Sequence, residues 1–390
     1  MDIHKQAIKK HKEWQGKIEI ISRVPMETVE DISIAYTPGV AEPCREIVIN
    51  KDKVNDYTRK WNTVAIVTDG TAVLGLGDIG PEAGLPVMEG KAVLFKKFGN
   101  IDAVPICLGT KDSDEIVQTI VNIAPSFGGI NLEDISAPRC FEIERRLNEQ
   151  LDIPVFHDDQ HGTAIVILAA LMNSLKIIGK EKEAVSIVIN GAGAAAIATA
   201  KLLLKTGFRD IVLCDTCGAI YEGRANLNTE KEAISKITNL NTKIGKLRDV
   251  IRGTDIFIGL SSGGVLDAEV VSTMNSDAVV FALANPEPEI LPQEAERGGA
   301  RITGTGRTDF KNQINNALVF PGLFRGALDA QAKEISYEMK IAAAHALSGC
   351  ITEDKLSESY IIPDIFHPDL CKIVAKAVEA EARRAGAAQL

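Results

Sequence analysis

The feature that most constrains this chain is an apolar run, AVSIVIN, that breaks after Asn190 into a glycine turn and resumes at once as the alanine-rich stretch GAGAAAIATAKLLLKTG. A strand covered on both faces reads as a continuous apolar run. In such a turn Gly191 permits the reversal, Gly193 lets the backbone approach a pyrophosphate, and small Ala196 lets the following helix pack closely, which is the dinucleotide-binding unit of a Rossmann-like fold. The next apolar strand, DIVLCD, ends in Asp215, about twenty residues on, where a carboxylate accepts hydrogen bonds from ribose hydroxyls. That acid also repels a 2'-phosphate, so NAD is favoured over NADP. The strands DIFIGLS and AVVFALANP continue the same doubly wound domain.

A second set of strands lies upstream: VAIVTDG, DAVPICL, GGINLEDI and IPVFHDD, alternating with the predicted helices GKAVLFKKFG, DEIVQTIVNIAPSF and CFEIERRLNEQL. Alternation of this kind implies a parallel sheet with ligands at the strand C-termini. Residues Gly70 to Pro86 read as a glycine-rich loop. Two strands end in acid pairs, Glu133–Asp134 and Asp158–Asp159. A single acid at a strand end is usually a cap or a solvated loop residue, but like charges converging on one crevice repel unless a cation or a proton intervenes. Oxygen ligands favour Mg2+ or Mn2+ over zinc, and the flanking His157 and His161 leave a histidine-containing transition-metal site open.

At 390 residues the chain exceeds one compact core. The expected architecture is α/β in two domains: an N-terminal parallel-sheet domain for substrate and metal over residues 1–160, and a Rossmann-like doubly wound NAD domain over 161–316. C-terminal helices over 317–390 are expected to pack back on the first domain, and the first two dozen residues read as helical. A net charge of -10 without a dense Lys/Arg run argues against a nucleic-acid partner. The first thirty residues lack an apolar core followed by a cleavage site, so a cytoplasmic location is expected. The apolar segment from Thr163 to Gly179 is interrupted by Asn173, Ser174 and Lys176, which favours a buried helix over a membrane span. The 7 cysteines are scattered and odd in number, so reduced thiols are expected. Cys214 and Cys217 form a CxxC, yet no second Cys/His pair lies nearby to complete a zinc site.

Six blocks in order, SIAYTPGVAEPC, VTDGTAVLGLGDIGPEAGLPVMEGKA, GGINLEDI, PVFHDDQHGTA, FALANPEPE and NQINNALVFPG, resemble the malic enzymes in their short bacterial form, from about residue 30 to residue 330. The resemblance implies that Glu133, Asp134 and Asp159 hold Mg2+ or Mn2+. It also implies that Lys91 is the general base, Tyr36 the general acid and Asp158 the lysine's partner, and that Asn285 and Asn316 contact malate and the nicotinamide end of NAD. The implied reaction is oxidative decarboxylation of (S)-malate to pyruvate and CO2 with reduction of NAD, in a homodimer. Without the resemblance, a tyrosine before Thr-Pro-Gly anchors a turn and a lysine at a helix start is solvated. The larger malic enzymes place a substrate-gripping arginine where this chain has Ala72. The second carboxylate of malate then falls to Asn316, to backbone amides from Gly75 to Gly80, or to a neighbouring subunit. Two other readings share the motifs: malolactic conversion of malate to lactate with retained NAD, and a non-catalytic NAD-binding regulator.

Overall fold

The computed structural model describes residues 3–387. Four strands, β1 (Thr63–Thr68), β2 (Asp102–Cys107), β3 (Gly129–Leu132) and β4 (Val155–His157), form a parallel sheet in the order β2-β1-β3-β4. Val64 to Val67 are fully buried, as expected of a strand covered on both faces. Leu132 is in register with Val67 on one side and His157 on the other. The residues that follow, Glu133 and Asp158, therefore emerge side by side at one edge of the sheet.

The second sheet comprises β5 (Ser186–Asn190), β6 (Asp210–Asp215), β7 (Gly218–Ala219), β8 (Ile256–Gly259), β9 (Val279–Ala282) and β10 (Ile302–Thr305), in the order β10-β9-β8-β5-β6-β7. All pairs are parallel except the short β6–β7 ribbon. The chain moves outward from β5 to β6 and then crosses to β8. The end of β5 is thus a topological switch point, the place where such sheets bind ligands.

Helix Asp158–Ile178 links the two sheets. It is long and apolar enough to cross a membrane, but its residues from Ala164 to Leu171 are fully or almost fully buried in protein. Helix Phe320–Asp329 returns to the first domain, where Phe95 of helix Pro81–Gly99 lies 4.7 Å from the Phe320 ring and 5.3 Å from Phe324. Gly322 and Gly326 let helix Leu370–Arg384 approach, since added Cβ atoms would lie 2.8 Å from Cys371 O and 2.4 Å from Ala375 O.

Several elements differ from the sequence expectation. The N-terminal helix spans only Ile3–Trp14, because Gln15 and Gly16 both take positive φ and turn the chain away. The glycine-rich loop is shorter than expected: Pro81 sits in the first turn of a helix that already contains Pro86, a position that costs little because the first N–H groups of a helix have no internal partner. Asp158 and Asp159 form the first turn of a helix rather than the tail of β4. Strand β10 was not anticipated because Gly304 interrupts its pattern; a Cβ there would lie 2.7 Å from Ile314 Cδ1.

Phe95 is fully buried between the sheet and the returning C-terminal helix. Phe95→Ala is expected to lower the unfolding free energy by about 3–5 kcal/mol, measured by denaturant titration, and an effect below about 1 kcal/mol would contradict this packing.

Candidate active site

Glu133 and Asp134 directly follow β3, and Glu133 N–H extends the ladder to Val67 O at 2.9 Å. Asp134 takes φ +54°, and its carbonyl accepts from Ala72 N–H at 2.9 Å, tying this turn to the glycine-rich loop. Asp159 reaches it from the neighbouring helix, Asp159 Oδ2 accepting from Asp134 N–H at 2.7 Å. One carboxylate oxygen from each of Glu133, Asp134 and Asp159 lies within 4.8 Å of the others. The three acids converge although they come from two elements.

Lys91 is buried among them. Its ammonium donates to Glu133 Oε1 and to Asp158 Oδ2 and lies 4.7 Å from the centroid of the Phe320 ring. Asn131 Nδ2 donates to the other oxygen of Glu133 at 2.9 Å. Burial alone would pull the lysine down, but Asp158 and Glu133 outweigh it and hold the ammonium above its ordinary value. Burial pushes Glu133 up to about 7 and Asp158 up to about 6 against the opposing pull of Lys91, and it raises Asp159 as well. Gly162 makes room for this arrangement: a Cβ would lie 1.9 Å from Asp158 Oδ1 and 3.0 Å from Asn316 Cβ. Asn316, at the start of a short 3-10 turn, therefore stands beside the Lys91–Asp158 pair.

Glu144 was not singled out from sequence. It is buried on helix Arg139–Gln150 and accepts from His157 N–H at 3.2 Å and Gln160 Nε2 at 3.2 Å. It also pairs with His161 Nε2 at 2.8 Å. Glu144 thereby ties down the residues on both sides of Asp158 and Asp159. His161 is committed to this contact, and the acid group that could hold a metal contains oxygen donors only. A carboxylate inside a helix that otherwise reads as amphipathic gives no local signal of this role.

In the second domain Gly191 takes φ +133°, and a Cβ there would lie 2.3 Å from Leu260 O, so glycine is required. A Cβ on Gly193 would meet nothing within 4 Å: the turn opens onto space. Ala196 is buried one turn later, and Ala194 packs against the apolar cluster that contains Ile135, next to Asp134. Asn285 is exposed at the end of β9, its carbonyl 2.3 Å from where a Cβ on Gly75 would lie, so the glycine-rich loop of the first domain meets the second there. Asp215 ends β6 but is not a lone acid. It binds Arg224 at 2.9 and 2.5 Å and Lys231 at 2.8 Å. Despite burial, these hydrogen bonds hold it far below the usual carboxylate range.

Tyr36 stands at the surface, unlike the buried Lys91 and its acids. It is 68% exposed and caps helix Val29–Ala35, none of whose residues is buried. All 7 cysteines are free. Burial pushes the Cys214 thiol up to about 12, which leaves the CxxC without a reactive thiolate at that position.

A parallel-sheet domain with a buried lysine among carboxylates, joined by one helix to a doubly wound domain whose glycine turn faces it, defines a two-domain dinucleotide-dependent oxidoreductase. The comparisons are more specific. Residues 15–148 match the malic enzyme N-terminal domain and residues 160–383 the malic enzyme NAD binding domain. The chain is 55% identical over 391 residues to the bifunctional malic/malolactic enzyme of Bacillus subtilis, covering 100% of this chain and 95% of that protein. It is 55% identical over 374 residues to the NAD-dependent malic enzyme of Geobacillus stearothermophilus, covering 96% of this chain and 78% of the other. The crystal structure of an NAD-dependent malic enzyme from Thermotoga maritima superposes with a TM-score of 0.93 at 44% identity, over 96% of this chain and 99% of that one. The chain belongs to the malic enzyme family.

Because a Cβ at position 191 would strike the Leu260 carbonyl, Gly191→Ala is expected to weaken NAD binding by about tenfold or more. Titration followed by nucleotide fluorescence reads this directly, and an unchanged Kd would remove the glycine turn from the cofactor site.

Proposed function

We propose that this protein oxidatively decarboxylates (S)-malate to pyruvate and CO2 with NAD as hydride acceptor. The observation that carries the reading is the buried ammonium of Lys91 bonded to Glu133 and Asp158, beside three acids converging within 4.8 Å. The donor set, carboxylates alone with their ionisation opposed by burial, fits a hard dication such as Mg2+ or Mn2+ held by Glu133, Asp134 and Asp159. When bound, such an ion supplies Lewis-acid polarisation of the substrate's oxygens and compensates the acids that otherwise hold the proton on Lys91.

Lys91 then takes the C2 hydroxyl proton as hydride leaves for the nicotinamide, with Asp158 keeping the ammonium aimed between strand edge and substrate. Loss of CO2 from C4 leaves an enolate, and Tyr36 protonates it at C3. Asn316, adjacent to Gly162 and Asp158, and Asn285, at the meeting of the two domains, orient malate and the nicotinamide. The first 160 residues serve substrate and metal, 161–316 serve the cofactor, and the C-terminal helices supply Phe320 beneath Lys91. The free thiols suit a cytoplasmic enzyme.

With malate, NAD and Mn2+, NADH and pyruvate are expected in equal amounts. Lys91→Ala should lower kcat by about 10²–10⁴-fold, and Asp159→Asn should raise the Mn2+ concentration needed for half-maximal rate. Near-normal turnover by Lys91→Ala would sink the assignment of the base. The Bacillus subtilis relative carries both malic and malolactic activities in its name, which favours one second reading: reduction of the pyruvate to lactate on retained NADH. Lactate without free NADH would establish it.

Tyr36 lies on an arm whose helices Ile3–Trp14, Val29–Ala35 and Ala41–Ile49 bury no residue, while Trp14, Ile20, Ile21, Val29 and Ile34 stand open to solvent. Large apolar side chains left this exposed mark an interaction face when they group together. The arms belong in a homodimer, and the exposed tyrosine completes the site of a second copy. Mixing inactive Tyr36→Phe and Lys91→Ala chains under conditions that exchange subunits is expected to restore part of the activity; no recovery in mixed dimers would place Tyr36 in its own subunit's site.

NAD preference rests on Asp215, but Arg224 and Lys231 neutralise that acid and soften its repulsion of a 2'-phosphate. Measurable NADP activity is therefore expected. Arg224→Ala should depress kcat/KM for NADP more than for NAD, in side-by-side rates.

A further inference from the structure

A second cavity, of about 760 Å3, opens between helices Arg139–Gln150, Ala194–Lys205 and Tyr337–Ser348. Its lining includes neither Gly191 and Gly193 nor Glu133, Asp134, Asp158 and Asp159, although Gln160 and His161 follow Asp159 directly, and it is walled by parts of both domains and of the C-terminal helices. Its most buried cation is Lys340, only 7% exposed. Among the described residues no carboxylate lies within salt-bridge distance of Lys340, and its ammonium donates no hydrogen bond; it is held over the rings of Tyr337 at 5.1 Å and Phe156 at 6.0 Å. A lysine this buried, whose ammonium bonds no protein group among the described residues, is costly unless the cavity supplies a partner. A side chain of this kind signals a ligand more strongly than an exposed lysine does.

The wall carries charges of both signs, most of them paired. Arg145 is paired with Glu149 at 2.7 Å and Lys201 with Glu230 at 3.3 Å, while His161 is paired with Glu144. Lys205, exposed and with no ion pair among the described residues, lies 5.9 Å from the Tyr337 ring. Lys340 and Lys205 are thus the two cations of the wall outside an ion pair, and because burial disfavours the charged form of His161, Glu144 keeps its charge and faces Lys340. The remaining acids of the wall, Glu334 and Glu338, are exposed at the rim, where water screens them. Burial pulls Lys340 down to about 8, against the opposing field of Glu144 and Glu334; Glu144 therefore compensates it only in part. We propose that this cavity is a second binding site, for a small phosphate-bearing anion held by Lys340 and Lys205. Lysines act as point charges that suit a phosphate, and the Phe141 and Tyr337 rings leave an apolar wall beside it.

The site is tested with inorganic phosphate on protein saturated with NAD, so that the glycine turn is filled, and without malate or metal. Isothermal titration is expected to show one phosphate per chain with a millimolar or tighter Kd, and phosphate should raise Tm by stabilising the folded state. Lys340→Met, similar in volume, should weaken binding by about tenfold or more. The exposed Lys205→Gln, which does not endanger folding, should weaken it several-fold. Absence of phosphate binding to the unaltered protein up to tens of millimolar, or binding unchanged by either substitution, overturns the proposal. Because no malate turnover enters the readout, the result stands apart from the assignment of the reaction.

Discussion

The buried ammonium of Lys91 between Glu133 and Asp158 is the interaction on which the site depends. Carboxylates at 0–6% side-chain exposure could not be gathered at one sheet edge without it, because removing charge from water costs several kcal/mol per ion and is repaid only by close, hydrogen-bonded partners. Its presence reaches outward into the fold. Lys91 is aimed by helix Pro81–Gly99, that helix is packed through Phe95 on Phe320 and Phe324, and Phe320 lies beneath the ammonium itself. The C-terminal helices are therefore part of the first domain's chemistry although they follow the second domain in sequence.

Close approaches bring the two halves together. Gly162 lets the linking helix carry the Asp158 carboxylate past Asn316, and Gly75 lets the glycine-rich loop meet the Asn285 carbonyl. Glu144 braces the other side of the acid turn through His157 N–H, Gln160 and His161. The metal-type acids and the dinucleotide turn are held by separate sheets. Their relative placement depends on these contacts and on the single buried helix between them, which is why small residues recur where backbones nearly touch.

Much of this was legible from residue patterns, for identifiable reasons. The eight longer apolar runs became β1 to β6, β8 and β9, most of them covered parallel strands that must be apolar throughout, with β2 a half-buried edge strand. Acids beside the ends of β3 and β4 were readable because parallel strands place their C-termini at one edge. Other features carried no local mark. The helix through Pro81 and Pro86 was hidden by turn-like composition, and β10 by Gly304. The neutralisation of Asp215 by Arg224 and Lys231, nine and sixteen residues downstream, depends on how the following turn folds back. Nor does local pattern tell that Glu144, on a helix rich in charges, is the one glutamate there turned inward.

By itself the sequence determined the elements and the chemistry available: two parallel sheets, a glycine-rich turn after the strand that ends at Asn190, and a family's lysine, tyrosine and acids in order. These are local properties, set by hydrophobic period and backbone sterics. Only the tertiary structure decided which charges face one another. It put Lys91 against Glu133 and Asp158, turned His161 to Glu144, left Lys340 without an ion pair among the described residues, and left Tyr36 outside on an arm. Such pairings join residues 17 to 67 positions apart, and their energies depend on burial and distance, which exist only once the chain has packed.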